Sequence, residues 1–196
     1  RNNYLILAMK KTKLAVFASG SGSNYQAIAE ACQDGRINAE IVLLVCDKPG
    51  AKVLERAERF GTECFAFNPK EYASREAYET VLATMLDERG VDFVCLAGYM
   101  RLVGEELLNA YKGRIINIHP SLLPAFAGVK PIERAMEYGV KVYGATIHYV
   151  DETLDGGKII SQRAIDYEGN DIEELTELIH EAEHKLYINT LQKLLK

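Results

Sequence analysis

Cysteine is scarce in this chain and nowhere paired. Cys32, Cys46, Cys64 and Cys95 stand far apart, with no C-x-x-C step among them. That spacing excludes a disulfide framework, a dithiol redox motif and a cysteine zinc site, and it reads as buried thiols of a reducing, cytoplasmic compartment. Long apolar runs are also lacking. The stretch 4–9 is too short for the core of an export signal, and Lys10, Lys11 and Lys13 follow it where a signal would carry its charge in front. Neither export nor a membrane span is expected. Residues 1–8, upstream of Met9, read as a cloning remnant or a mis-assigned start, and 1–12 as an extension ahead of one domain over 13–196. No basic cluster exceeds 10–13 and the net charge is −5, so the electrostatic footprint of a nucleic-acid binder is missing. Small-molecule substrates are the expected partners.

What is present is a large core and a repeating pattern. In 196 residues 48% are hydrophobic, enough for one domain to bury a core without covalent staples. Apolar runs at 14–18, 41–46, 64–67, 93–97 and 115–118 predict strands, and helical periodicity predicts helices from Asn24, over 53–60, over 74–89 and over 105–111. Ser74 is an N-cap, and Gly61 and Gly90 are stop signals. Strands alternating with helices give βαβ units, so the fold class is α/β: an open, mainly parallel twisted sheet, Rossmann-like, with helices on both faces. The last third differs. Residues 142–150 alternate around Thr146 and His148 and pair antiparallel with 158–165 as an edge, joined by the turn Leu154-Asp155-Gly156-Gly157. Asp171, with Glu174 three residues on, starts a last helix in the manner of a capping box.

Two segments carry chemistry. Ser19-Gly20-Ser21-Gly22-Ser23-Asn24 sits between the first strand and first helix, where glycines and a helix N-terminus aim backbone N–H groups at an anion. Tyr25 stands where a dinucleotide fingerprint has its third glycine, so a phosphomonoester fits better than a pyrophosphate. Asn117-Ile118-His119-Pro120 closes a strand, and residues two apart share a face, so Asn117 and His119 point together at the carboxyl end of the sheet. An amide and an imidazole supply an oxyanion donor and a proton shuttle. Asp155, on the Asp-Gly-Gly turn, is the carboxylate to favour the imidazolium form.

These segments, with Ser74-Arg75-Glu76-Ala77-Tyr78, Leu96-Ala97-Gly98-Tyr99-Met100-Arg101, Asn117–Pro124 and Gly144–Val150 running into Leu154–Gly157, resemble the glycinamide ribonucleotide formyltransferases in order and spacing from Lys13 onward. The resemblance implies formyl transfer from 10-formyltetrahydrofolate, as co-substrate, to the amine of glycinamide ribonucleotide, through a tetrahedral intermediate and without a metal. It implies Gly22, Ser23 and Asn24 at the substrate phosphate, and Asn117, His119 and Asp155 as catalytic residues. Glu183 is implied at the glycinamide end. Folate is implied against Met100, Arg101, Leu102 and Val103 and against Asp151, Glu152, Thr153 and Leu154, with Arg75 near its glutamate tail. After Pro124 the chain departs from the family, reading Ala125-Phe126-Ala127-Gly128-Val129-Lys130-Pro131 where a Pro-Gly and often a histidine are usual.

Other readings compete. His180-Glu181-Ala182-Glu183-His184 spells the H-E-x-x-H zinc pattern, but only twelve residues follow, none of them histidine, aspartate or glutamate to supply a third ligand. Formyl transfer to a charged initiator tRNA, or hydrolysis of the formyl-folate, belongs to relatives with an extra domain. A non-catalytic nucleotide- or folate-binding module, or a dehydrogenase with Asp47 as ribose ligand, is the alternative from another class; Tyr25 speaks against the dehydrogenase, and turnover separates catalysis from binding.

Overall fold

The computed structural model describes residues 10–196; the expectation about residues 1–8 lies outside the described residues. Strand β1 (Thr12–Ala18) is apolar on both faces because it has a core on each side. Leu14, Val16 and Ala18 join a cluster with Tyr25 and Ile28 of helix α1 (Ser23–Gln33) and Tyr187 and Leu191 of α6 (Ile172–Leu194). Ala15 and Phe17 join a second cluster with Tyr78, Leu82 and Leu86 of α3 (Arg75–Glu88) and Leu107 of α4 (Glu105–Ala110). This two-residue alternation across a doubly covered sheet is what a continuous apolar run encodes.

Around β1 stand β2 (Ala39–Cys46), β3 (Cys64–Ala66), β4 (Phe93–Leu96), β5 (Ile115–His119), β6 (Val142–Tyr149) and β7 (Ile159–Asp166), with α2 (Lys52–Arg59) after β2 and α5 (Pro131–Tyr138) after β5. The sheet order is β3-β2-β1-β4-β5-β6-β7. Strands β1 to β5 run parallel, β6 pairs antiparallel with β5, and β7 pairs antiparallel with β6. The chain leaves β1 on one side toward β2 and later returns to the other side as β4. That reversal opens a crevice at the carboxyl ends of β1 and β4, the place where open α/β sheets bind ligands. Among the described residues no helix is long and apolar enough to cross a membrane.

Four local expectations need correction. Helix α5 was absent from the sequence reading, although its signals are there: Pro131 opens it, Gly139 closes it in the left-handed conformation, and Ile132 and Ala135 are its buried stripe. Cys64 is exposed while Cys32, Cys46 and Cys95 are buried, because β3 is three residues long at the sheet edge. The connection between β6 and β7 runs from residue 150 to 158 and is longer than a hairpin turn. Asp171 does cap α6, accepting from Glu173 and Glu174 N–H at 3.0 and 3.2 Å, but its own N–H donates to the Tyr167 hydroxyl at 3.2 Å, so Tyr167 takes the part expected of Glu174.

One buried bond ties α6 to the sheet across 91 residues of sequence: the Tyr187 hydroxyl donates to the Leu96 carbonyl at 2.8 Å. Burial pushes that phenol's pKa far up, so it stays a donor. Tyr187→Phe leaves a buried carbonyl without its partner, and urea unfolding should register a loss of about 1–3 kcal/mol.

Candidate active site

The glycine loop is built from both sides. Gly22 ends it at φ 78°, a left-handed conformation that side chains resist, and a Cβ there would come within 2.9 Å of the Val53 Cα. From behind, Val53 N–H donates to Gly20 O at 3.0 Å, and Arg56 Nε donates to Ser21 O at 2.7 Å. The first turn of α1 then begins at Ser23 with no side-chain cap and no acidic residue, so its free N–H groups and the helix dipole are open to an anion. Gly22→Ala should distort this loop. The expected results are a rise in the KM for the phosphorylated substrate of about tenfold or more, scaled to one or two lost charge-assisted bonds, and a lower Tm.

Asp47, considered above only as a ribose ligand, instead anchors the crevice. The Ser19 hydroxyl donates to Asp47 Oδ1 at 2.5 Å and accepts Met100 N–H at 2.9 Å, while Arg101 Nε donates to Asp47 Oδ2 at 3.2 Å. Ser19 N–H also donates to Gly98 O at 3.0 Å. A buried carboxylate thereby fastens the glycine loop to the segment after β4.

At the end of β5 three expected residues come together. The Nδ1 of His119 is 3.5 Å from Asp155 Oδ2, and its Nε2 lies 2.9 Å from the Phe126 carbonyl. Asn117 lies on the same strand face, with its Nδ2 donating to His148 Nε2 at 3.3 Å. His148 was not singled out as a site residue. It pairs with Asn117 in the β5–β6 register, and the contact of its Nδ1 with Tyr149 O at 2.9 Å leaves Nε2 as the acceptor for Asn117. With Thr146 it is one of two buried polar residues in a largely apolar strand, and that was the sequence signal. Asp155 Oδ1 is 4.0 Å from His148 Nε2, so the carboxylate lies between two imidazoles.

The atypical segment 125–131 closes over this group. Gly128 N–H donates to Asp155 Oδ2 at 2.9 Å, and Phe126 supplies the carbonyl facing His119. Below it, Thr146 is fully buried at a three-way junction: it donates to Ser121 O and accepts from Leu123 N–H and Gln162 Nε2. These bonds set the path of the chain just after His119.

The residues expected at the folate are mostly open. Met100 is 72%, Leu102 57% and Leu154 60% exposed, an unusual state for large apolar side chains. Val103 and Val150 pack against one core cluster, which brings the two segments to the same side of the sheet. Asp151, Glu152 and Thr153 are exposed, and Thr153 hydrogen bonds hold the Asp151 carboxyl below its ordinary pKa. Arg101 is turned to Asp47, and Arg75 lies against Gly104, where a Cβ would meet its Cδ at 2.8 Å.

Glu183 is buried on α6, and desolvation pushes its carboxyl up to about 8 against the opposing hydrogen bond from Asn24. Asn24, expected at the phosphate, and the residue expected at the glycinamide end are therefore neighbours. His180 Nε2 stands 3.8 Å from Glu183 Oε1, but burial lowers the His180 pKa and raises that of Glu183, so at neutral pH the pair carries little charge. Among the described residues no group of three or more His, Cys, Asp or Glu is placed to hold a metal ion.

The switch point of a parallel sheet, with a glycine loop and open helix N–H groups on one side and an amide, imidazole and carboxylate on the other, is the arrangement of an α/β enzyme equipped for group transfer. Comparison with known proteins is more specific. The Formyl transferase family profile matches residues 12–191. The phosphoribosylglycinamide formyltransferase of Bacillus subtilis (strain 168) is 50% identical over 93% of this chain and 94% of its own length. The crystal structure of glycinamide ribonucleotide transformylase 1 from Geobacillus kaustophilus superposes with a TM-score of 0.93 at 51% identity, covering 95% of this chain and all of that one. The trifunctional purine biosynthetic protein adenosine-3 of Drosophila melanogaster is 40% identical, with the chain spanning 14% of its length. The chain belongs to the formyl transferase family, and within it to the phosphoribosylglycinamide formyltransferases.

Proposed function

We propose that the protein transfers a formyl group from 10-formyltetrahydrofolate to the amine of glycinamide ribonucleotide, in purine synthesis. The observation that carries this reading is the placement of Asn117, His119 and Asp155 together at the end of β5, Asp155 within 3.5 Å of His119 and 4.0 Å of the His148 that Asn117 bonds, in a chain half identical to a named phosphoribosylglycinamide formyltransferase.

In this reading the phosphate sits at Gly22, Ser23 and Asn24, and Glu183 holds the glycinamide end. The substrate amine attacks the formyl carbon, forming a C–N bond and a tetrahedral oxyanion. Asn117 donates an N–H to that oxygen. The attacking nitrogen then loses its proton, N10 of the folate gains one, and the bond between N10 and the formyl carbon breaks. His119 relays the proton and Asp155 balances the ring's charge throughout. No bond to the enzyme forms. Met100 to Val103, Asp151 to Leu154 and Arg75 accommodate the folate, whose apolar rings would cover the exposed Met100, Leu102 and Leu154.

We also assign the protein small-molecule partners and a reducing, cytoplasmic setting, supported by its four free cysteines and net charge of −5. The test is an assay with both substrates, following the folate absorbance change. Formation of formylated glycinamide ribonucleotide is expected. Release of formate without that product would replace transfer by hydrolysis, and binding without turnover would leave only a binding module.

A further inference from the structure

The geometry points to Arg134 as a positioning residue for the catalytic group, an inference that rests on the formyl-transfer reading and adds to it a residue outside the motifs that carry the family resemblance. Arg134 lies one turn into α5. Its Nε donates to Val129 O at 2.8 Å and one terminal nitrogen donates to Ala127 O at 2.5 Å, while the guanidinium lies 5.8 Å from the centre of the Phe126 ring. A planar fork spanning two carbonyls of one loop and leaning on an aromatic ring of the same loop is a clamp that lysine cannot reproduce.

The loop needs a clamp. Phe126, Gly128 and Lys130 all have left-handed backbones, with φ of 55°, 88° and 48°, and for the two residues other than glycine that conformation is strained. The alternation has a consequence for what the loop offers to the site. Phe126 presents its carbonyl to His119, and Gly128 presents its N–H to Asp155. The two carbonyls held by Arg134, those of Ala127 and Val129, flank Gly128 on either side. Strain at 126 and 130 is thus offset by the arginine, and the held conformation fixes both the ring of His119 and the carboxylate of Asp155. Arg134 touches neither substrate nor the reacting atoms in this scheme; it acts through the loop.

The experiment measures kcat and both KM values for Arg134→Ala and Arg134→Lys, each in the unsubstituted protein and in an Asp155→Asn background, with Tm recorded for every variant. Arg134→Ala should lower kcat by about tenfold to a hundredfold, the scale of a misplaced catalytic group. The KM for glycinamide ribonucleotide should move less than about threefold, because the phosphate loop is on another part of the sheet. Arg134→Lys should recover part of the loss. In the Asp155→Asn background the same substitutions should cost less than about threefold, since the group they position has already lost its charge. An unchanged kcat, or an equal loss in both backgrounds, overturns the positioning role. If Arg134→Ala does not fold, Arg134→Lys, which keeps charge and length but not the fork, decides by the same two comparisons. An unsubstituted protein that fails to transfer formyl overturns the functional reading itself, whereas an active protein indifferent to Arg134 overturns only this inference.

Discussion

His119→Ala and Asp155→Ala are each expected to lower kcat for formyl transfer by about a hundredfold to ten-thousandfold, with the fold intact. His119 is nearly buried, its ring held between the Phe126 carbonyl and the Asp155 carboxylate. An oxygen thus faces each ring nitrogen, a setting for a ring that takes up a proton and passes it on. Truncation removes that proton carrier. For Asp155 the loss is indirect: without the carboxylate, Gly128 N–H has no acceptor and the cation has no counter-charge. The two substitutions act on one unit, so the double variant should be scarcely slower than the worse single one. Circular dichroism and Tm check the fold, and single-turnover kinetics read the chemical step. Near-normal turnover in both variants would sink the assignment of roles.

Much of this group was legible in the sequence because it sits on regular structure. Asn117 and His119 are two apart on a strand, and period two is fixed by backbone geometry, so their common face followed from spacing alone. The strands β1, β2, β4 and β5 were legible for a related reason: a strand covered on both sides leaves an uninterrupted apolar run, as 14–18 and 41–46 do. What escaped depends on backbone atoms and on the opposite strand. Gly128 N–H and the Phe126 carbonyl have no side-chain signature, and the left-handed φ at Phe126 and Lys130 contradicts local preference. His148 joins Asn117 through the β5–β6 register, which no single strand specifies. Helix α5 is a different case. Its eight residues start with Pro131 and are followed by Gly139, but they carry only a short apolar stripe, and the preceding loop breaks the pattern.

Glu183→Gln should make the protein more stable near pH 8 and flatten its loss of stability with rising pH. The Glu183 carboxyl is buried, and desolvation raises its pKa to about 8 from an ordinary 4.5, with the Asn24 hydrogen bond only partly opposing. A raised folded-state value means that the native protein holds its proton when the unfolded chain has released it. The contribution of this group is therefore fully favourable below pH 4.5, declines as pH rises, and stops changing above about 8. The span corresponds to about 5 kcal/mol at most, a large part of the stability of a domain this size. Glutamine keeps the shape and a hydrogen-bonding partner for Asn24 but cannot ionise. Urea unfolding from pH 5 to 8 should show the two proteins converging at low pH and separating by several kcal/mol at high pH; parallel curves would show that Glu183 does not titrate from a buried state. The same burial bears on the proposed role at the glycinamide end. A carboxyl that is neutral in the empty site can ionise when the substrate's protonated amine arrives, releasing a proton to solvent as the ion pair forms. Substrate binding near pH 7 should then release a fraction of a proton in the unsubstituted protein and less in Glu183→Gln, measurable by calorimetry in buffers of different ionisation enthalpy.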